Sequence, residues 1–170
     1  HRALEIAFSR GDWTAAQADD AFDAAWLELA PRVTPAPAVS RERALLRHAV
    51  VHQVVGERAK PLVPGFGPTG FEWQFGYEGR AAALRLDAAG GSLLVRGSVD
   101  RIDEDGAGRA VVIDYKWSRI DRYSGLAAKI DDGEELQLPL YALAVARSRG
   151  VDVVAAGYLT LRDGRQRWLR

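Results

Sequence analysis

Two acidic residues and a lysine stand close together in the middle of the chain, within or beside two apolar segments. Asp100 lies in the segment Leu93 to Ile102, Asp114 lies in the segment Ala110 to Tyr115, and Lys116 follows directly. A carboxylate inside an apolar strand is costly unless a cation or a hydrogen-bond donor accompanies it. Carboxylate oxygens are hard ligands that suit Mg²⁺ or Mn²⁺. These residue types therefore indicate a divalent metal site, with ordinary ion pairs as the alternative.

A polar turn, Glu104 to Gly108, separates the two segments and predicts a β-hairpin. Alternation along the second strand places Asp114 and Lys116 on one face and Tyr115 on the other. Without a bulge, Asp100 is expected diagonal to Asp114 on that same face, with backbones roughly 7 Å apart. Like charges at this separation repel each other in a half-buried setting, so a bound cation is their natural partner. Asp103 is predicted on the opposite face, where it serves the hairpin.

The region after the hairpin predicts a polar loop, roughly residues 117 to 133, and then a helix from about Glu134 to Arg149. Gln137 and Tyr141 stand four residues apart on one stripe of this helix. Pro139 is tolerated because it falls in or near the first turn. The buried face of the helix is predicted to contain Leu136, Leu140 and Leu143.

The first sixty residues predict three helices. Gly11 ends the first helix, Thr14 or Asp12 caps a second one that reaches about residue 29, and Ser40 opens a third that reaches about residue 59. Prolines 31, 35 and 37 predict an extended linker. The buried stripes of the second and third helices are predicted to include Ala18, Phe22, Ala25, Trp26, Leu29, Leu45, Val51 and Val55.

The rest of the chain contains segments in which side chains alternate as is typical of β-strands. A length of 170 residues and a hydrophobic content of 48% suit one domain with one substantial core. We predict a mixed α/β domain over residues 1–170, with a helical part over 1–60 and a sheet with its helix over 61–170. Besides the hairpin, the predicted strands are Phe71 to Tyr77, Ala81 to Leu86, Val151 to Leu161, and Arg165 to Leu169 across an Asp163-Gly164 turn.

Composition excludes several classes of site and partner. The chain has no cysteine, so it can form neither a disulfide nor a thiolate metal site. Lys plus Arg equals Asp plus Glu at 23 each, so nucleic acid would have to be held by a local patch. The abundant arginine either grips phosphate or reflects a GC-rich coding sequence. No apolar run reaches the roughly twenty residues that span a bilayer, which predicts a soluble protein.

These residues resemble a known family when they are taken together. Asp100 to Asp103, then Asp114-Tyr115-Lys116, then Gln137 to Tyr141 resemble the PD-(D/E)XK nucleases. The branch they resemble, at the C-terminal ends of RecB and AddB, is written roughly G-x-x-D-R-I-D, D-Y-K-T and Q-L-x-x-Y. His1 to Glu5 resembles the histidine-bearing helix of that branch, and Phe71 to Gly76 resembles its glutamate strand.

The resemblance implies a fold, an activity and a ligand set. It implies a restriction-endonuclease-like core with a central mixed β-sheet flanked by helices, and a DNA nuclease that uses Mg²⁺ or Mn²⁺. His1, Asp100, Asp114 and the backbone carbonyl of Tyr115 would hold the metal. A histidine at this position has a second reading, as the remnant of a purification tag.

The remaining motif positions have implied roles in catalysis and DNA contact. Lys116 would hold the attacking water and offset charge on the phosphoryl oxygens, while Gln137 and Tyr141 would approach the scissile phosphate. Glu72 would bind a metal-linked water or a structural arginine, or it is a strand-edge charge. Trp117 departs from the usual threonine or serine and offers a stacking surface for a base. Arg119, Arg122 and Lys129 of the loop are candidate contacts to backbone phosphates.

The resemblance also implies a setting. The segment reads as excised from a longer bacterial helicase-nuclease protein, in which a helicase domain or subunit feeds DNA to the site during double-strand break repair, in the nucleoid-associated cytoplasm. Relatives often carry a four-cysteine iron–sulfur cluster, which these residues cannot form. The alternatives are a non-cutting module that binds DNA or scaffolds a partner, and an RNA-cutting enzyme of the same fold. His48 and His52 have zinc-compatible spacing, but we interpret them as a partly exposed helix face.

Overall fold

The structure, a computed structural model, describes residues 1–11, 13–29 and 37–169. The chain forms three helices, then five strands, then a mostly helical connection, and finally two strands. The helices are α1 (Arg2–Ser9), α2 (Ala15–Leu29), α3 (Pro37–Ala59), a 3₁₀ helix (Ile120–Tyr123), α4 (Leu126–Asp131) and α5 (Gln137–Arg149). The strands are β1 (Gly67–Phe75), β2 (Leu84–Ala88), β3 (Gly91–Val95), β4 (Gly97–Glu104), β5 (Arg109–Lys116), β6 (Asp152–Thr160) and β7 (Arg165–Leu169).

A mixed sheet of five strands forms the centre of the fold, in the order β1-β4-β5-β6-β7. Strands β5 and β6 pair in parallel, with α5 in the connection between them, and the other neighbours pair antiparallel. Strands β2 and β3 form a separate two-stranded sheet. This arrangement confirms the predicted mixed α/β class and is consistent with a restriction-endonuclease-like core.

The two faces of the central sheet are covered by different helices. One face of β5, with Val111, Ile113 and Tyr115, packs into a core with residues of α1, α2 and α3. The other face, with Ala110 and Val112, packs into a second core with residues of α4 and α5. The predicted alternation along β5 is therefore correct, and it forms the hairpin with β4 as predicted.

Local signals end α1 and start α2 as the sequence predicts, whereas α3 begins at Pro37 and not at the predicted Ser40. The Thr14 hydroxyl accepts a hydrogen bond from the Gln17 backbone N–H, and the Gln17 side chain accepts one from the Thr14 N–H. This reciprocal capping box stabilises the first turn of α2 by about 1 kcal/mol. Gly11 follows α1 with a φ of +84°, a conformation that glycine adopts readily. The alternative cap, Asp12, and the predicted linker prolines 31 and 35 lie outside the described residues, while Pro37 already belongs to α3.

The apolar segment Leu93 to Ile102 is not one strand, as the prediction had it. It divides at Arg96, because β3 pairs with β2 whereas β4 pairs with β1 and β5. Gly97 follows the division, and a Cβ there would lie 3.0 Å from the rings of Phe75 and Tyr141. A larger residue would thus push Tyr141 away from the strand that carries Asp100. Strand β2 also begins later than predicted, at Leu84.

Several burial predictions are wrong. Leu29, Leu45, Val55 and Leu136 are all exposed. In α3 the buried stripe contains Gln53 and Glu57 among its apolar residues, since their side chains serve a charged group of the sheet described below. The loop after Lys116 holds a 3₁₀ helix and α4, because its apolar side chains Ile120, Tyr123 and Leu126 pack into the second core.

Helix α5 begins at Gln137, so Pro139 lies in its first turn as expected. Its buried side chains are Leu138, Ala144 and Val145, whereas Leu140 and Leu143 are only partly buried. No helix among the described residues is both long enough and apolar enough to cross a membrane.

Candidate active site

Three side chains from three separate elements meet at one end of the sheet. His1 Nδ1 lies 3.3 Å from Asp100 Oδ1 and 3.4 Å from Glu72 Oε1. Their ligand atoms all lie within 4.8 Å of one another, which is close enough for one ion to contact all three. Asp100 is buried, while His1 and Glu72 are partly open to solvent. The cluster therefore combines the buried carboxylate of Asp100 with two solvent-accessible side chains, His1 and Glu72, that can also ligate a metal.

The backbone of β1 is irregular where it supplies Glu72. Glu72 has a φ of +45°, in the left-handed region that non-glycine residues rarely adopt. The register pairs Phe71 with Arg101 and Trp73 with Val99, and it omits Glu72. Such strain costs of order 1–3 kcal/mol and persists only where the surrounding structure imposes it. Here it accompanies a carboxylate directed at His1 and Asp100.

A second group of polar side chains adjoins this cluster. Asp114 Oδ1 accepts a hydrogen bond of 2.8 Å from Gln137 Nε2, and Asp114 Oδ2 lies 2.6 Å from Lys116 Nζ. Lys116 Nζ also donates to Gln137 Oε1 at 2.9 Å, so the three side chains form a closed triangle. Gln137 Nε2 additionally donates to the Tyr141 hydroxyl at 3.2 Å. The first turn of α5 thus fixes both the acid and the base at the end of β5.

The buried Asp114 oxygen is only partly satisfied. Oδ2 lacks a hydrogen bond of acceptable geometry from the described residues despite its short contact with Lys116. We therefore regard that contact as an ion pair that leaves a lone pair of Oδ2 available. A buried, under-satisfied carboxylate oxygen is costly for folding and well suited to a bound cation.

The two aspartates lie beyond the regular pairing of the hairpin. The register of β4 with β5 runs from Glu104 opposite Ala110 to Arg101 opposite Ile113 and includes neither Asp100 nor Asp114, so the diagonal placement of the two acids stays a prediction. Asp100 Oδ2 accepts a 2.8 Å hydrogen bond from the Tyr115 backbone N–H. The backbone of β5 thus positions Asp100, while the metal-binding role of the Tyr115 carbonyl stays a prediction.

Electrostatic coupling links the two groups. Burial, with the charge of Asp100 second, raises the pKa of Asp114 to about 6. Hydrogen bonds to Asp100 and Glu72 raise the pKa of His1 to about 10, so the imidazole acts as the cation of the cluster in the absence of a metal. Burial lowers the pKa of Lys116, but the close ion pair with Asp114 outweighs burial and raises the pKa overall. Lys116 is therefore an ammonium at neutral pH.

The sequence prediction missed a charged network on the other face of the same hairpin. Arg101 is buried and contacts Asp103 at 2.5 Å and Glu57 at 2.8 Å. Its guanidinium also donates to the Tyr115 hydroxyl at 3.1 Å. Asp103 does lie on the predicted face of the hairpin, opposite Asp114, where it pairs with Arg101 of the same strand. A charged run inside an apolar strand, Asp100 to Asp103, was the signal for this network.

The sequence profile of the PD-(D/E)XK nuclease superfamily matches residues 1–167. The chain belongs to the PD-(D/E)XK nuclease superfamily. The match covers every element of the site described above. A comparison with curated proteins finds no match.

Members of the PD-(D/E)XK superfamily use divalent metals, and the donor set of this chain fits one. The site offers two carboxylates and an imidazole within reach of one another, with the under-satisfied Asp114 beside them. Oxygen donors with one nitrogen suit Mg²⁺ or Mn²⁺. Geometry includes Glu72 in the cluster, whereas the sequence favoured Asp114, whose own oxygens contact Gln137 and Lys116.

Four residues predicted to contact DNA, Trp117, Arg119, Arg122 and Lys129, lie in the segment after β5 and do not belong to the group of His1, Glu72 and Asp100. Arg119 is exposed, 3.8 Å from Asp121, and Lys129 Nζ donates to the Arg122 carbonyl at 3.4 Å. Trp117 has 38% of its surface exposed. Roles for these four residues in substrate binding stay predictions.

His48 and His52 lie on the exposed side of α3 with ring centroids 6.1 Å apart. Within the described part of the chain they join no group of three metal-ligating side chains.

Proposed function

We propose that this chain is a metal-dependent DNA nuclease of the RecB and AddB type. The observation that carries the proposal is the meeting of His1, Glu72 and Asp100 beside the Asp114–Lys116 pair at one end of the sheet. In a purely structural domain, two neighbouring carboxylates would repel each other and reduce stability without any benefit. The motif order along the chain supports the branch assignment.

The residues divide the work of phosphodiester hydrolysis among them. Asp100, Glu72 and His1, with Asp114, would hold Mg²⁺ or Mn²⁺, which supplies charge stabilisation at the phosphate and a more acidic water. Lys116 is held by Asp114 and Gln137, so its ammonium can position the water and offset charge that develops on the phosphoryl oxygens. Gln137 and Tyr141 orient the substrate through their linked polar groups.

The proposal extends to a biological setting. A helicase domain or subunit would deliver DNA to this site during double-strand break repair and recombination in the bacterial cytoplasm. The resemblance to the RecB and AddB branch supports this setting.

The test is cleavage of labelled single-stranded and duplex DNA with Mg²⁺, with Mn²⁺ and with a chelator. Lys116→Ala and Asp114→Asn are expected to lose about 100-fold or more in rate. The control is Arg109→Ala, because Arg109 is exposed and begins β5 at the end opposite Lys116. Equal degradation by the two active-site variants and the parent would overturn the assignment. A parent that binds DNA without cutting it would favour the scaffolding module, and one that cuts only RNA would favour the RNA enzyme.

A further inference from the structure

A second concave surface lies beside the active site, next to Trp117. It is lined by His48 and His52 of α3, by Trp117 after β5, and by Arg162 and Asp163 between β6 and β7. We call it the Trp117 groove, and its volume is about 350 Å³. Trp117 also lines a neighbouring apolar cavity that reaches His1. The Trp117 indole therefore lies between the groove and His1, which belongs to the cluster of His1, Glu72 and Asp100.

The groove presents aromatic and basic groups that have no strong partner. Trp117 is 38% exposed, although an indole of this size is usually well covered. The Arg162 guanidinium carbon lies 5.9 Å from its ring centroid, and among the described residues Arg162 makes no ion pair. His48 and His52 are exposed, and their ring centroids lie 6.1 Å apart. A flat π surface beside a free guanidinium suits a nucleobase and its phosphate.

The acidic residue of the groove does not oppose an anionic ligand strongly. The Asp163 carboxylate accepts hydrogen bonds from the Ile120 backbone N–H and from the Thr160 hydroxyl. Its charge is thus engaged with the turn that it stabilises. The Arg162 guanidinium, in contrast, remains available to an incoming phosphate.

The groove begins directly after Lys116, the residue that is proposed to position the attacking water, because Trp117 is the next residue in the chain. Lys116 pairs with Thr160 across the parallel strands, and the Leu161 backbone N–H donates to the Lys116 carbonyl at 2.9 Å. Trp117 and Arg162 therefore follow the ends of two adjacent parallel strands. Because Trp117 and His1 line one cavity, a strand that is held at the cluster of His1, Glu72 and Asp100 can place its neighbouring nucleotide at Trp117.

We propose that the Trp117 groove binds the unpaired strand of a single-stranded DNA substrate. One base stacks on Trp117, the adjacent phosphate contacts Arg162, and the imidazoles of His48 and His52 donate hydrogen bonds to the following nucleotide. Stacking of this kind requires an unpaired base, because the faces of duplex bases are already occupied by their neighbours. The inference rests on the proposed nuclease function and adds a preference for single strands.

The experiment measures binding of a labelled single-stranded oligonucleotide and its duplex by fluorescence anisotropy, in a Lys116→Ala background that prevents cutting. Trp117→Ala is expected to weaken single-strand binding about 10-fold and duplex binding less than twofold. Trp117→Phe restores most of the affinity, since it restores the π surface. Trp117→Leu keeps an apolar side chain for the neighbouring cavity but does not restore affinity.

Salt dependence tests the phosphate contact separately. For a single strand the slope of log K against log salt changes by about 0.7 for each phosphate contact. Arg162→Ala is expected to reduce the slope by about that amount, whereas Trp117→Ala leaves it unchanged. The matched control, Arg109→Ala, lies at the far end of β5, where its guanidinium carbon is 5.7 Å from the Phe66 ring centroid. It is expected to leave both affinity and slope unchanged.

The outcomes separate this inference from the function beneath it. If Trp117→Ala and Trp117→Leu bind single strands as the parent does, or lose equal affinity for duplex, the proposal that the groove binds a single strand is overturned. Metal-dependent cleavage by the parent would in that case still support the nuclease proposal. A parent that neither cuts nor binds DNA would overturn both. Tighter binding of single-stranded RNA than of DNA at the groove would overturn the DNA assignment.

Discussion

The two faces of the β4–β5 hairpin both carry charged side chains, but the fold treats them in opposite ways. On the face toward α3, Arg101 is 1% exposed, and two acids, a hydroxyl and the Phe8 ring surround its guanidinium. Glu57 in turn accepts a hydrogen bond from Gln53 at 2.7 Å. This network is closed to solvent, and its charged groups satisfy one another.

The other group of charges, at the open end of the hairpin, is incomplete. Asp114 Oδ2 lacks a well-aligned donor, and His1 and Glu72 remain accessible to solvent. Buried charge alone therefore does not mark a functional site. A network whose charges satisfy one another holds the fold together, whereas a group that combines accessible side chains with an unsatisfied buried oxygen has capacity left for a ligand.

The largest expected effect comes from opening the closed network. Arg101→Met leaves Glu57 and Asp103 buried without their cation, and we expect a loss of about 3–5 kcal/mol in the free energy of unfolding. Chemical denaturation measures it. A triple variant that also carries Glu57→Gln and Asp103→Asn should recover part of the loss, since no buried charge then remains. A loss below about 1 kcal/mol in the single variant would contradict the structural role.

The cluster of His1, Glu72 and Asp100 should show a much smaller change in stability. Asp100→Asn keeps an oxygen for the Tyr115 N–H. The substitution relieves repulsion of Asp114 but also removes the charge that pairs with the His1 imidazolium, so the free energy of unfolding of the metal-free protein should change by less than about 1 kcal/mol. Nuclease activity should fall by about 100-fold or more, since a metal ligand matters at least as much as the groups that orient it. Added Mn²⁺ should raise the melting temperature of the parent but not of this variant. A variant that gains the same thermal shift would exclude Asp100 from the metal site.

The pH dependence of stability should reveal the incomplete satisfaction of Asp114. Its pKa is raised from 3.8 to about 6, so between these values the folded state binds the proton more tightly than the unfolded state. Stability in a chelator should therefore fall as pH rises from about 4 to about 6, by about 2 kcal/mol from this group. Asp114→Asn should remove that part of the slope, as measured by denaturation at each pH. An unchanged slope would contradict the assignment.

The smallest expected effect is on the cleavage rate of a variant at Tyr141, which is linked to the Asp114–Lys116–Gln137 group through Gln137. Tyr141→Phe removes the hydroxyl that accepts from Gln137 but keeps the ring, which packs edge-on to Phe75 at 6.1 Å. One hydrogen bond of about 1 kcal/mol corresponds to a change of about fivefold in rate. Steady-state cleavage kinetics measure it, with thermal unfolding as the check that stability is retained. A loss as large as that of Asp100→Asn would place Tyr141 in direct contact with the reacting phosphate.

The sequence by itself determined the features that depend on neighbouring residues. The alternation of Asp114 and Lys116 against Tyr115, the Thr14–Gln17 cap and the position of Pro139 all follow from strand and helix periods and from local hydrogen bonds. These interactions act within a few residues, so the amino-acid sequence alone is enough to predict these local features.

Only the tertiary structure decided which distant side chains meet. Glu72 joins His1 and Asp100 because β1 is irregular beside β4, and Glu57 is buried because Arg101 lies opposite α3. Leu45 and Val55 remain exposed for the same reason, since α3 turns a partly polar stripe toward the sheet. Contacts of this kind depend on how whole elements pack, and no local pattern in the chain encodes the packing of one element against another.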